Sequence, residues 1–415
     1  MEQALPLPIM NRVTTAHTAR RHSVAFVASV AWLIYAIVVS YISVFFGENG
    51  LLYYIKIVPM LLILFYQLYY LLRDVNVSKS GLNLTTVYFI FIILHYLLLR
   101  SGLERAVNLI AMLTCLLVFK KYPFKKREIN KLYYLFVLVV FLKILNGATL
   151  ENLADTTKFN PNECAIHLML LFCISLVAFA YAKKLRYLIV TAICFALQFY
   201  FTSRGALGGC ALFFVGFVLF RAWKRAWKVK TAFVIILLLS VLGILVAYIY
   251  STVLFEAIGK GNVTIFGKDL FTGRQKIWQL TFDTIKDNLW FGVGSRVNEA
   301  TVLEESNRIY RDSHNMALAV LVSFGLLHFI LFYLLFSYLI STGGSYKKGK
   351  RKYVPSAPVI FMCVITLMNY FEMLFFYKWT MPMVIVAYGI IGSCRLLRKQ
   401  KSSLPCRTYK RVYVG

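Results

Sequence analysis

The stretch Thr231-Ala232-Phe233-Val234-Ile235-Ile236-Leu237-Leu238-Leu239-Ser240-Val241-Leu242-Gly243-Ile244-Leu245-Val246-Ala247-Tyr248-Ile249-Tyr250-Ser251-Thr252 contains no charged side chain. A helix on the surface of a soluble domain shows one apolar face and one polar face. This run has no polar face, and it is long enough to cross ~30 Å of hydrocarbon, which takes about 20 apolar residues. Comparable runs recur along the chain near 24–46, 51–72, 83–99, 103–119, 132–147, 164–182, 185–201, 205–222, 315–341, 356–376 and 380–396. With 231–252 they predict an all-α polytopic membrane protein of about 12 transmembrane helices. Lys56 and Lys143 interrupt the second and fifth runs and leave those two the least regular.

Composition agrees. Of 415 residues, 60% are apolar and 15% charged, with a mean hydropathy of +0.69, which excludes a soluble enzyme or a secreted disulfide scaffold as the bulk of the chain. The net charge of +29 would suggest a nucleic-acid partner in a soluble protein. Its distribution gives another reading. If the amino terminus is cytoplasmic, 31 of the 46 Lys and Arg residues fall in the amino-terminal tail and the alternate segments after it, the asymmetry expected of retained cytoplasmic loops. Both ends of the chain are then cytoplasmic, and nucleic acid is not a partner.

The division that follows is a basic tail at 1–23, spans one to nine within 24–252, an outer cap loop at 253–313, spans ten to twelve within 314–396 and a second basic tail at 397–415. The first apolar run lacks a small-residue cleavage site at its end and reads as a retained anchor. The eight cysteines lie in spans or in the tail after them, and no Cys/His spacing suggests a metal.

The cap departs from the lipid-filling pattern. It is far longer than an ordinary connection, which points to function. It carries Trp278 and Trp290, a helix-periodic stretch from Arg274 to Ile285 and a turn at Gly292-Val293-Gly294. Three further outer features stand at span mouths: Asn160-Pro161-Asn162, Ser203-Arg204-Gly205, and Arg311-Asp312-Ser313-His314-Asn315. Guanidinium groups pair phosphate oxygens in bidentate fashion, so arginines gathered there suit an anionic, partly lipidic ligand such as a diphosphate. Each residue also has a bland explanation. Arg204 can snorkel at the interface. His314 can cap a helix start, and Arg274 can lie over the Trp278 ring four residues on. Glu104 and Glu372, near outer span ends, are candidate partners for arginine.

Taken in order, Asn160-Pro161-Asn162, Ser203-Arg204-Gly205-Ala206-Leu207, Gly273-Arg274 with Trp278, Gly292-Val293-Gly294, and Ser313-His314-Asn315 with its Leu-rich span reaching Gly325 resemble the O-antigen ligase and polymerase family. The resemblance covers about residues 158–340. The Pro that the family often places before the Gly-x-Gly turn is absent, the chain having Asn288-Leu289-Trp290-Phe291 there. What the resemblance implies is transfer of a glycan from an undecaprenyl-diphosphate-linked oligosaccharide to the hydroxyl of a growing glycan acceptor, at the outer face of the bacterial plasma membrane. No cofactor or metal is implied, and a chain-length regulator protein is a further partner. Arg204 and Arg274 are expected on the diphosphate and His314 on the acceptor hydroxyl as general base. Ser203, Gly205, Asn160, Asn162, Trp278, Arg311 and Asn315 are expected to bind substrate. A repeat-unit polymerase is the leading expectation and a ligase the second. A lipid-linked oligosaccharide flippase is the rival from another class, and it would call for basic residues deep in several spans and for internal repeats.

Overall fold

The structure is a computed structural model that describes residues 23–46, 50–73, 79–99, 103–152, 161–201, 203–223, 226–258, 264–265, 268–269, 274–294, 313–348, 351–377 and 380–398. A helix stands at each apolar run: α1 (Val24–Phe46), α2 (Gly50–Arg73), α3 (Lys79–Leu99), α4 (Leu103–Lys121), α5 (Lys126–Asn152), α6 (Pro161–Ala182), α7 (Leu185–Phe201), α8 (Arg204–Trp223), α9 (Val229–Ile249), α12 (Met316–Thr342), α13 (Ser356–Met368) and α14 (Thr380–Ser393). The cap contributes α10 (Phe255–Ile258) and α11 (Arg274–Asp287). Among the described residues, four helical stretches are long and apolar enough to cross a membrane: Pro161–Ala182, Val229–Leu254, Met316–Thr342 and Thr380–Leu397.

The opening stretch explains its own packing. Along α9 the buried positions are Ala232, Ile236, Ser240, Gly243 and Ala247, spaced three or four apart and mostly small. Val234, Leu238, Val241 and Leu245 point outward on the opposite side. Small residues let helix backbones approach closely where lipid supplies no hydrophobic drive. Gly243 uses that freedom, since a Cβ there would stand 3.0 Å from the Tyr370 ring. α6 is buried on all sides from Cys164 to Ala178, as an apolar-all-round helix at the centre of a bundle must be.

Charges inside the bundle are matched. Lys143, which interrupted the fifth run, forms an ion pair with Glu163 on α6 at 2.7 Å. Segments that the charge rule assigns to one side also meet on one side. Glu128, in the first turn of α5, accepts hydrogen bonds from the Ser23 amide and hydroxyl at the start of α1, both at 2.7 Å. A small antiparallel sheet joins the α8–α9 connection to the α12–α13 connection, with β1 (Ala226–Lys228) and β4 (Tyr346–Lys348) on either side of β5 (Arg351–Pro355). The cap holds a second pair, β2 (Thr264–Ile265) and β3 (Lys268–Asp269).

Two boundaries differ from the sequence reading. The ninth helix does not end near 252 but continues through a π-helical turn (Tyr250–Leu254) into α10. The eleventh stops at Met368 instead of running to 376, because Asn369 turns its hydrogen-bonding groups to other segments. Its carbonyl accepts from the Met316 amide at 2.9 Å, and its side chain accepts from the Leu374 amide at 3.0 Å. Residues 369–377 thereby become a turn segment beside the start of α12.

α12 is broken at Gly325, where φ is 78°. The turn that ends the cap repairs the break. Val293 N–H donates to the Val322 carbonyl and Leu326 N–H donates to the Leu289 carbonyl, both at 2.8 Å. His95 on α3 bonds the Phe291 carbonyl at 2.7 Å. Gly292, at φ 68°, lies so close that a Cβ would stand 2.7 Å from the Phe324 nitrogen and the Val322 oxygen. Neither glycine leaves room for a side chain. Gly292→Ala is expected to lower the melting temperature by several degrees and to open the 288–294 turn to protease, whereas Gly208→Ala, which meets no atom within 4 Å, leaves both unchanged.

Candidate functional site

Four of the residues singled out in the sequence, Arg274, Trp278, His314 and Asn315, gather around the start of α12. Asn315 is its N-cap, with backbone at φ −142°, and its side-chain oxygen accepts from the Ala317 and Leu318 amides. Its amide nitrogen donates to the carbonyls of Gly243 on α9 and Tyr370 on the turn segment, at 3.1 and 3.0 Å. An Asn has four hydrogen-bonding positions, and the fold uses all four here. Asn315, expected to bind substrate, is a fully buried clamp joining α9, α12 and residues 369–377.

The Trp278 indole is likewise fully buried and packs edge-on to Tyr250 with its ring centroid also 6.0 Å from that of Phe371. Its Nε1–H donates to the Ser313 carbonyl at 2.6 Å. Arg274, one turn earlier on α11, reaches Glu372 on the turn segment at 3.3 Å, and the Tyr377 hydroxyl donates to the other oxygen of that carboxylate at 3.4 Å. Glu372 engages one terminal nitrogen of a guanidinium that has five N–H donors. α11 itself is tied to the π-helical turn by Gln279, whose amide donates to the Ser251 carbonyl at 2.7 Å.

Between Ser313 and Asn315, both fully buried, His314 is held in the left-handed region with φ 49°. Asn, Asp and His enter that region more readily than other L residues, but it is uncommon, and such outliers persist only where neighbours over-determine them. The neighbours are the Trp278 bond on one side and the Asn315 clamp on the other. His314 Nδ1 is buried and has no hydrogen-bond partner among the described residues. Burial, and then the nearby positive charge of Arg274, push its pKa down to about 4. The imidazole is therefore neutral near pH 7, with a lone pair available to take a proton.

Arg204 begins α8, directly after the buried Ser203, whose carbonyl accepts from the Leu207 amide at 3.0 Å. Gly205 leaves open space beside it, since a Cβ there would meet nothing within 4 Å. One turn further on, Gly209 lies against Met169 and Met368, which sets the head of α8 next to the end of α13 and so toward the turn segment. Asn162 is in the first turn of α6, partly exposed, beside the Glu163–Lys143 pair. Asn160 and Arg311 lie outside the described residues. Among the described residues, no group of three or more His, Cys, Asp or Glu side chains is placed to hold a metal ion.

The structure thus brings Arg274, Trp278, His314 and Asn315 together and adds Ser313, Glu372 and Tyr377. Glu372 was legible only as an unplaced partner for some arginine. The sequence showed Ser313 as part of a motif, without its role as the acceptor for Trp278.

A multi-helix bundle with runs able to cross a membrane, a cap helix and a strained histidine beside the arginine that starts that helix points to a polytopic membrane protein with a site near the start of α12. Residues 189–333, from α7 through most of α12, match the family model described as O-antigen ligase, a match that supports an assignment to the O-antigen ligase and polymerase family. Members of that family are glycosyltransferase-type enzymes that act on lipid-linked glycans. No curated protein and no solved structure matches the chain.

Two substitutions separate clamp from chemistry. Asn315→Ala, which strands four buried partners, is expected to cost about 2–4 kcal/mol and is read as a large loss of thermal stability in detergent. Trp278→Phe keeps an aromatic ring but removes the N–H that holds Ser313 together with part of the buried indole. It is expected to cost about 1–2 kcal/mol of stability and to lower kcat more than it raises KM, since His314 loses its placement.

Proposed function

We propose that the protein polymerises undecaprenyl-diphosphate-linked oligosaccharide repeat units into surface polysaccharide, O-antigen or capsule, at the outer face of the bacterial plasma membrane. In this reading the twelve helices at the apolar runs all span the bilayer, both tails are cytoplasmic, and residues 253–313 cap the outer end. The observation that carries it is His314, neutral, strained and unpartnered at Nδ1, beside Arg274 at the mouth of the bundle.

The chemistry follows from those groups. A diphosphate is a good leaving group, so the protein must bind the departing charge and align an acceptor hydroxyl behind the anomeric carbon. Arg204 and Arg274 take the diphosphate oxygens, with Ser203, Gly205, Asn160, Asn162 and Arg311 completing the substrate contacts. His314 takes the acceptor proton as the hydroxyl attacks, the bond from the anomeric carbon to the phosphate oxygen breaks, and the configuration inverts. No metal is required, and a chain-length regulator is a partner of the growing product. The match to an O-antigen ligase family favours a ligase as the second reading, in which the same donor chemistry delivers the glycan to lipid core or protein.

Purified protein given its lipid-linked repeat unit alone is expected to lengthen the glycan without chelatable metal. Inactivity until lipid core is added would identify a ligase, and a magnesium requirement would remove the metal-free step. Arg204→Ala, Arg274→Ala and His314→Ala are each expected to lower kcat by about 10²–10³-fold or more.

The pH profile tests the base. In the free enzyme the histidine loses its proton at about pH 4, so the acid limb of kcat/KM is expected there. A bound diphosphate offsets Arg274, so the acid limb of kcat is expected at higher pH. Coincident limbs, or profiles unchanged in His314→Gln, would overturn the assignment. Stability has its own sign. The folded pKa lies below the ordinary ~6.5, so the unfolded chain binds the proton more readily, and stability falls as pH drops from about 6.5 toward 4.

A further inference from the structure

At the end of the bundle remote from His314, a cavity of about 60 Å³ opens between the ends of α4, α12 and α14 and the beginning of α13. α12 separates the two ends by 27 residues, ~40 Å of helix. Lys120 and Arg395 are the charged side chains of its wall, and no acid lines it. Lys120 is steadied with its ammonium 4.8 Å from the centre of the Tyr338 ring, and Arg395 stands exposed on a short 3-10 turn (Cys394–Leu397). The apolar part of the wall includes Phe119, Phe124 and Leu396.

Pro355 and Pro358, which bracket the first turn of α13, also line the cavity. The first backbone N–H groups of a helix carry partial positive charge and suit an anion. Lys120 and Arg395 also sit at helix C-terminal ends, where a cation is favourable without any ligand. That accounts for their charge but not for the open volume between them. At roughly 10–15 Å³ per water, the space takes four or more waters or one tetrahedral oxyanion, and it is too small for a sugar chain.

We propose that this cavity is a binding site for the phosphate group of an anionic glycerophospholipid, with Lys120, Arg395 and the first turn of α13 around the phosphate and the Phe119, Phe124 and Leu396 surfaces against the glycerol and acyl root. Basic pockets between helices on the cytoplasmic side are a recurrent form of anionic lipid recognition. The cytoplasmic placement of this end rests on the orientation given under the proposed function. Lipid binding is measured without glycan transfer, so either idea can fail while the other stands.

The test uses full-length protein, purified and stripped of lipid in neutral detergent, with bound lipid counted by native mass spectrometry. Phosphatidylglycerol is expected to occupy one saturable site and phosphatidylcholine of the same chains to bind at least about tenfold more weakly, a difference of ~1.4 kcal/mol or more. Lys120→Gln/Arg395→Gln is expected to weaken phosphatidylglycerol about tenfold. Gly392→Leu supplies an independent variant that keeps both charges, since a Cβ there meets only the Pro358 Cβ at 3.9 Å and a larger side chain fills the cavity. It is expected to weaken binding equally. Arg351→Gln/Lys352→Gln, which removes two exposed charges of β5 outside the cavity wall, is expected to leave binding unchanged. Equal weakening by both double variants, or full binding in Gly392→Leu, would overturn the site. Displacement of the lipid by an equal concentration of inorganic phosphate would overturn the lipid assignment in favour of a free oxyanion.

Discussion

A helix surrounded by hydrocarbon cannot interrupt its own hydrogen-bond ladder unless another backbone takes over the exposed groups, because each orphan costs several kcal/mol. α12 is interrupted at Gly325, and the groups are taken over by the Leu289–Val293 turn of the cap. The exchange needs two glycines facing each other, Gly292 and Gly325, with nothing between the backbones. The cap is consequently not a loop resting on a finished bundle. It completes one of the central helices, and the position of α11 is set by the same contact that lets α12 exist in its broken form.

From that anchoring the site follows. α11, held to the π-helical turn through Gln279, carries Trp278 inward to Ser313 and Arg274 toward Glu372. Asn315 fixes the other side of the histidine by tying α12 to α9 and to residues 369–377. His314 is left with a backbone conformation that its neighbours impose and a ring that they do not satisfy. Rigid support around an unsatisfied group is the arrangement expected where stability has been given up for chemistry.

How much of this was legible in the sequence depended on whether the governing pattern was local. Apolar length is local, and all twelve helices stand where the runs predicted them. Lys143 looked like a defect in the fifth run because its partner, Glu163, lies on the next helix. The short end of the eleventh helix was hidden for a like reason: Met368 to Phe376 is apolar enough to continue, and the helix ends where Asn369 gives its carbonyl to the distant Met316 amide and its side chain to the Leu374 amide. The short strands β1, β4 and β5 carried no apolar signal, since their stability comes from pairing two connections far apart in sequence. At the site, position was easier to read than role. Trp278 and Asn315 stand beside His314, and the burial and hydrogen bonds that make them supports of its backbone are not written in a motif.

The Arg274–Glu372 pair has a bearing on turnover. Glu372 is a tethered anion that already occupies part of the guanidinium, with Tyr377 steadying its second oxygen. Any mobile anion using Arg274 must share or displace that carboxylate, and on leaving it is replaced at once. A resident competitor of this kind flattens the energy of the empty and filled states toward each other. It sacrifices grip on the incoming lipid diphosphate and, in the proposed reaction, keeps the spent carrier from becoming its own inhibitor.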